Sequence, residues 1–149
     1  LKRIRSYVGK SRTFDNWEAA AAAVRNVNAA IYPEFDDADW LTLAKRTFRV
    51  FAPGRIAADY DPAIAVPFSN SETAAKPTDP WELFAALQPI PALAIRGETS
   101  DVMSASTLET MKQRKPDLET LVIKRRGHPP LLTEPEAWRA IERFLGRLP

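Results

Sequence analysis

Apolar and polar positions repeat with two different periods along this chain, and the change of period divides it. From Thr13 the pattern is helical, with Val24, Val27 and Ile31 forming an apolar stripe at i, i+3 and i+7. Asp15-Asn16-Trp17-Glu18 has the spacing of a capping box, so Asp15 is expected to open the helix. The run Ala19–Ala23 has the highest intrinsic helix propensity, and Pro33 is expected to close the helix. A second start signal, Asp36-Asp37-Ala38-Asp39, puts carboxylates at the positive end of a helix dipole. Trp40, Leu41, Leu43, Ala44 and Phe48 then make an apolar face, and Lys45, Arg46 and Arg49 suit the C-terminal end. Phe48–Phe51 and Arg55–Tyr60 flank Pro53-Gly54 and predict a short hairpin. Asp61-Pro62 then breaks the chain direction, and residues 67–79 have the composition of a linker.

The second half reads differently. Pro80 stands at a first helical position, and Trp81–Leu87 predict a short helix. Apolar strand-like runs at 91–96 and 119–124 alternate with helical patterns at 104–115 and 134–147. Strand, helix, strand, helix with apolar strands is the signature of parallel βαβ units. The expected division is residues 1–79, mostly helical, and residues 80–149, an α/β segment. Two parallel strands cannot bury both their faces, so these strands are expected to need neighbours. Alone, the chain should pair or aggregate.

Composition narrows the class without naming it. The 149 residues are 45% hydrophobic and 27% charged, which is globular. The net charge of +2 is dispersed. A basic stripe with interleaved aromatics is missing, so the pI of about 9.1 gives little support for nucleic-acid binding. No apolar run is long enough to span a bilayer, and none has a signal-peptide pattern. Zero cysteine excludes disulfides and fits a reducing, cytoplasmic setting. One histidine and no cysteine cannot make a zinc set, and five glycines form no phosphate loop, so no metal or cofactor is expected.

The chemistry concentrates at two post-strand loops. His128 is the only histidine and sits in Arg126-Gly127-His128-Pro129-Pro130, directly after the second strand. A glycine before it permits a tight turn, and two prolines after it restrain the loop. A positioned imidazole beyond the carboxyl end of a strand is where a general base is wanted. Upstream, Gly97-Glu98-Thr99-Ser100-Asp101 follows the first strand. Asp101 would accept the imidazole Nδ1–H and fix its tautomer. Glu98 is a competing carboxylate, and helix capping is an equally open role for Asp101.

At these residues the chain resembles the α/β-hydrolases. Segments 90–104 and 126–136, followed by an amphipathic helix ending Phe144-Leu145, are similar to the C-terminal end of that family. The resemblance implies that Asp101 is the triad acid and His128 the triad base, in the order nucleophile, acid, histidine. It implies an α/β fold: two parallel strands with flanking helices, preceded by a mostly helical lid over residues 1–79. In the lid-like half, aromatic residues such as Trp40, Phe51, Tyr60 and Phe68 either line an apolar substrate pocket or pack between lid helices.

The nucleophile elbow Gly-x-Ser-x-Gly is not in the sequence, and no serine has glycines two residues away on both sides. In the family it precedes the lid. The chain opens on Leu1 rather than Met, so the expectation is a C-terminal part of something longer, inactive by itself, whose partner is the N-terminal half of the core. The implied activity is cleavage of an ester, lactone or related acyl-type bond in a small molecule. The nucleophile, serine, aspartate or cysteine, sets the subclass and is left open. A non-catalytic, mostly helical binding or regulatory module is the alternative, and a nucleic-acid contact domain a weaker third.

Overall fold

A computed structural model describes residues 12–66 and 79–148. The chain forms two compact units, one of residues 1–29 and 34–77 and the other of residues 30–33 and 78–149.

The first unit combines helices with a small sheet. Strand β1 (Thr13–Phe14) precedes helix α1 (Trp17–Asn28), α2 (Asp37–Thr47), β2 (Phe48–Ala52) and β3 (Arg55–Ala58). The helical pattern expected from Thr13 therefore begins later. Thr13 and Phe14 pair antiparallel with Ala57 and Ile56 of β3, giving the order β1-β3-β2. The helix is capped by Asn16 rather than Asp15. Asn16 has extended backbone angles, and its side chain accepts the Ala19 N–H at 2.8 Å.

Helix α1 stops at Asn28, short of Pro33. The Asn28 amide donates back to the Val24 carbonyl at 2.8 Å, and Ile31 and Tyr32 leave for contacts in the second unit. Consequently Val24 is buried, whereas Val27 is mostly exposed and Ile31 lies outside the helix. Helix α2 starts where the carboxylates predict. Asp36 accepts the Asp39 N–H at 2.9 Å and Asp39 accepts the Asp36 N–H at 3.2 Å, a reciprocal capping box. The two helices pack against each other, and Ala20 and Val24 of the first and Trp40 and Ala44 of the second are buried.

Phe48 and Arg49 belong to β2, not to the end of α2. The expected hairpin forms around Pro53-Gly54, with Gly54 at φ 64°. That left-handed angle is what glycine tolerates and other residues avoid. The register shifts between Val50 and Ala52, so the ladder accommodates a turn that does not match the twist of the strands. A 3₁₀ turn, Pro62–Ala65, follows where Asp61-Pro62 breaks the chain, and Asp61 caps it. Most of the expected linker, and Phe68, lie outside the described residues.

The second unit is the α/β segment. Helix α3 (Pro80–Ala85) has Asp79 as its cap and ends two residues short of Leu87. Strand β4 (Leu93–Gly97), helix α4 (Ala105–Arg114), strand β5 (Glu119–Ile123) and helix α5 (Pro135–Leu145) follow. The strands pair parallel, Leu93 with Glu119 through Gly97 with Ile123. Helix α5 packs on both strands. Ala137 and Ala140 lie on its buried face, and Ile123, Leu108 and Leu118 are also core. Val122 on β5 and Trp138 on α5 are exposed.

One buried cation holds the approach to β5. Lys115 is fully buried, and its ammonium donates to the Gln88 carbonyl at 3.1 Å and to both Asp117 oxygens at 2.8 and 3.0 Å. Gln88 returns a bond to the Arg114 carbonyl at 2.6 Å. All three donors of the ammonium are satisfied, which makes its burial tolerable. Replacing Lys115 with methionine is expected to cost about 2–3 kcal/mol, measured by urea unfolding, because the Gln88 carbonyl loses a charged donor. The Lys115 bond also holds the Asp117 carboxyl below its ordinary pKa of 3.8. Stability from that pair is complete above the ordinary value and is lost as pH falls through the depressed one. Unfolding midpoints should therefore drop below about pH 4 in the parent and show a smaller acid dependence in Lys115→Met.

No helix among the described residues is long and apolar enough to cross a membrane.

Candidate active site

Two loops leave the carboxyl ends of β4 and β5, and the parallel register brings them side by side. The Glu98 N–H continues the ladder to the Ile123 carbonyl at 2.9 Å. One residue on, the Thr99 N–H donates to the Arg126 carbonyl, also at 2.9 Å. Asp101 and His128 each lie two residues beyond that bond. Both are exposed in the described chain.

The carboxylate that competed with Asp101 has other work. Glu98 Oε2 accepts the Arg125 N–H at 2.9 Å, tying the acid loop to the turn before His128. Arg125 takes φ 55° in that turn, and the Glu98 bond anchors its amide. Ser104 is the cap of α4, with its hydroxyl accepting the Thr107 N–H at 2.9 Å.

The acid loop is braced along its length. The Ser100 N–H donates to the Gly97 carbonyl, and the Ser100 hydroxyl accepts the Val102 and Met103 amides at 3.3 and 3.2 Å, bending the chain around Asp101. Arg96, buried on β4, closes the loop by donating Nε–H to the Met103 carbonyl at 2.7 Å.

The histidine loop is held in part by residues far from it in sequence. The Gly127 N–H donates to the Ile31 carbonyl at 2.9 Å, and the Tyr32 hydroxyl donates to the Pro129 carbonyl at 2.7 Å. The Arg126 guanidinium pairs with the Glu134 carboxylate at 3.1 Å, and both side chains are largely buried. The other Glu134 oxygen is buried with no hydrogen-bond partner among the described residues. Burial raises the Tyr32 phenol above its ordinary pKa of 10.0; the Glu134 charge adds to this and Arg126 opposes it. At neutral pH Tyr32 is therefore a secure donor.

Glycine is needed where the loops touch. A Cβ on Gly97 would run into the carbonyl oxygens of Gly127 and Arg126 and lie 2.8 Å from the Arg126 carbonyl carbon. A Cβ on Gly127 would lie 3.0 Å from the Ile31 Cα.

The first unit holds a concavity of about 680 Å³ on its sheet, lined by Arg49, Phe51, Arg55 and Tyr60 among others. Arg49 stacks 4.4 Å from the Phe51 ring and pairs with Asp59 at 3.2 Å. None of its lining residues belongs to the loops of Asp101 and His128. Trp40, by contrast, is core, edge-on to Phe35 at 5.0 Å. Among the described residues no group of three or more metal-ligating side chains could hold a metal ion.

Parallel strands with an acid loop and then a histidine loop beyond their carboxyl ends belong to an α/β fold, a class in which ligands bind outside those ends. Comparison with solved structures places that fold. An α/β hydrolase from Novosphingobium aromaticivorans is 45% identical with a TM-score of 0.87, over 99% of this chain and 51% of its own length. A protein designated a hydrolase from Rickettsia typhi is 25% identical with a TM-score of 0.76, over 100% of this chain and 49% of its own. E-2-(Acetamidomethylene)succinate hydrolase shares the fold at 19% identity, with a TM-score of 0.67, 98% of this chain and 53% of its own length. The chain has the fold of the α/β hydrolases and matches the C-terminal part of that fold. It spans about half the length of these solved structures. No family model and no curated protein matches it.

Proposed function

We propose that the protein containing this chain is a hydrolase of an ester, lactone or related acyl-type bond, with His128 as general base and Asp101 as the acid that orients it. The observation that carries this reading is the lacing of the two post-strand loops in the order acid, then histidine. The designation of the similar proteins as hydrolases supports an enzyme over a binding module.

The chemistry follows from the groups. His128 takes a proton from the nucleophile as it attacks the acyl carbon, and returns that proton to the departing alcohol. Asp101 accepts the Nδ1–H and stabilises the imidazolium between those steps. Water then cleaves the acyl intermediate by the same route, with His128 again as base. The nucleophile and its oxyanion donors are supplied by another part of the complete protein, and the substrate is a small molecule.

The 149-residue chain alone is expected to give no turnover of a p-nitrophenyl ester above a buffer blank, whereas the complete protein turns it over. Robust, His128-dependent turnover by the isolated chain would falsify the division of labour. A complete protein inactive on acyl substrates would remove the reading altogether.

A further inference from the structure

Both neighbours of His128 are fastened by one short segment from far away in sequence. The Gly127 N–H, just before the histidine, donates to the Ile31 carbonyl at 2.9 Å. The Pro129 carbonyl, just after it, accepts the Tyr32 hydroxyl at 2.7 Å across 97 residues. Tyr32 is only 3% exposed, so its ring is fixed by packing, and its hydroxyl holds a geometry that a solvated side chain would not. Gly127 is also pressed against Ile31, leaving no space for a side chain. Residues 30–33 pack with the second unit although they lie between α1 and α2 in sequence.

We infer that Tyr32 is a positioning residue for His128, its hydroxyl and the Ile31 carbonyl clamping the residues on either side of the imidazole. The inference rests on the reading of His128 as general base. A base loop free to shift by about 1 Å loses much of its rate, because proton transfer requires hydrogen-bond reach to the nucleophile. The Pro129 carbonyl is taken by the Tyr32 hydroxyl, so removing that donor acts on the loop that carries the base, and the loss should fall on kcat and spare KM.

The test compares the complete enzyme with its Tyr32→Phe and His128→Gln variants on a p-nitrophenyl ester. Tyr32→Phe keeps the ring and removes only the donor. Its kcat is expected to fall at least about tenfold, with KM within about twofold. In protein labelled with ¹³C-histidine, the His128 signal is identified by its absence from His128→Gln. It should be single and sharp in the parent and broadened or doubled in Tyr32→Phe. A Tyr32→Phe enzyme with parental kcat and an unchanged His128 signal, beside an inactive His128→Gln, overturns the clamp and leaves the base assignment standing. An active His128→Gln overturns the base assignment itself. A Tyr32→Phe protein that fails to fold also overturns the clamp, since Tyr32 would then be a residue of stability rather than of position.

Discussion

Replacing His128 with glutamine in the complete enzyme is expected to lower kcat by about three to four orders of magnitude while leaving KM within a few-fold. Glutamine is close to histidine in size and retains hydrogen-bonding atoms, but it cannot accept and return a proton near neutral pH. The measurement is steady-state ester hydrolysis, paired with a circular dichroism spectrum to show that the fold survives. Survival is expected because His128 is exposed and the loop's restraints fall on its neighbours, on Gly127 and Pro129. A loss confined to KM would instead mean that His128 binds substrate and performs no proton transfer. Asp101→Asn should follow the same direction, because an amide in place of the carboxylate no longer stabilises the imidazolium.

Gly97→Ala is expected to have the largest effect on stability, about 3 kcal/mol, read as a lower urea midpoint. The added methyl meets backbone on its partner loop, the carbonyls of Arg126 and Gly127, and backbone cannot rotate aside as a flexible side chain can. Relief requires the strand end or the histidine loop to move, which breaks the Thr99–Arg126 bond or strains it. Activity should fall further than the loss of folded protein explains, since the displaced segment carries His128. Gly127→Ala meets the Ile31 Cα and side chain at 3.0–3.3 Å and should be milder. A Gly97→Ala protein as stable as the parent would mean that the two loops yield easily, contrary to the bracing seen along both.

Much of this was legible in the chain because the signals are local. The capping carboxylates at Asp36 and Asp39, Pro80 at the start of a helix, the Pro53-Gly54 turn and the alternation of strands with helices all follow from neighbours in sequence. The strand at Thr13–Phe14 was not legible, since two residues carry no period and its partner lies some forty positions on. Helix α1 ends before its proline because Ile31 and Tyr32 are claimed by distant backbone, and no local residue announces that. At the site, the order of Asp101 and His128 was readable, whereas Tyr32, Arg126 and Glu134 were not. Their roles exist only once Tyr32 folds against Pro129 and the Arg126–Glu134 pair closes.

The fastening of Gly127 and Pro129 by residues 30–33 has a consequence for modularity. The α/β unit is not a contiguous inheritance, because part of its scaffolding is stitched between two helices of the other unit. Trimming the chain at residue 79 to obtain a minimal core would discard Ile31 and Tyr32 along with the helices. Chimeras that exchange the first unit between relatives should therefore keep this stitch native to the recipient, joining at Ala29 and at Glu34 rather than at a single crossover.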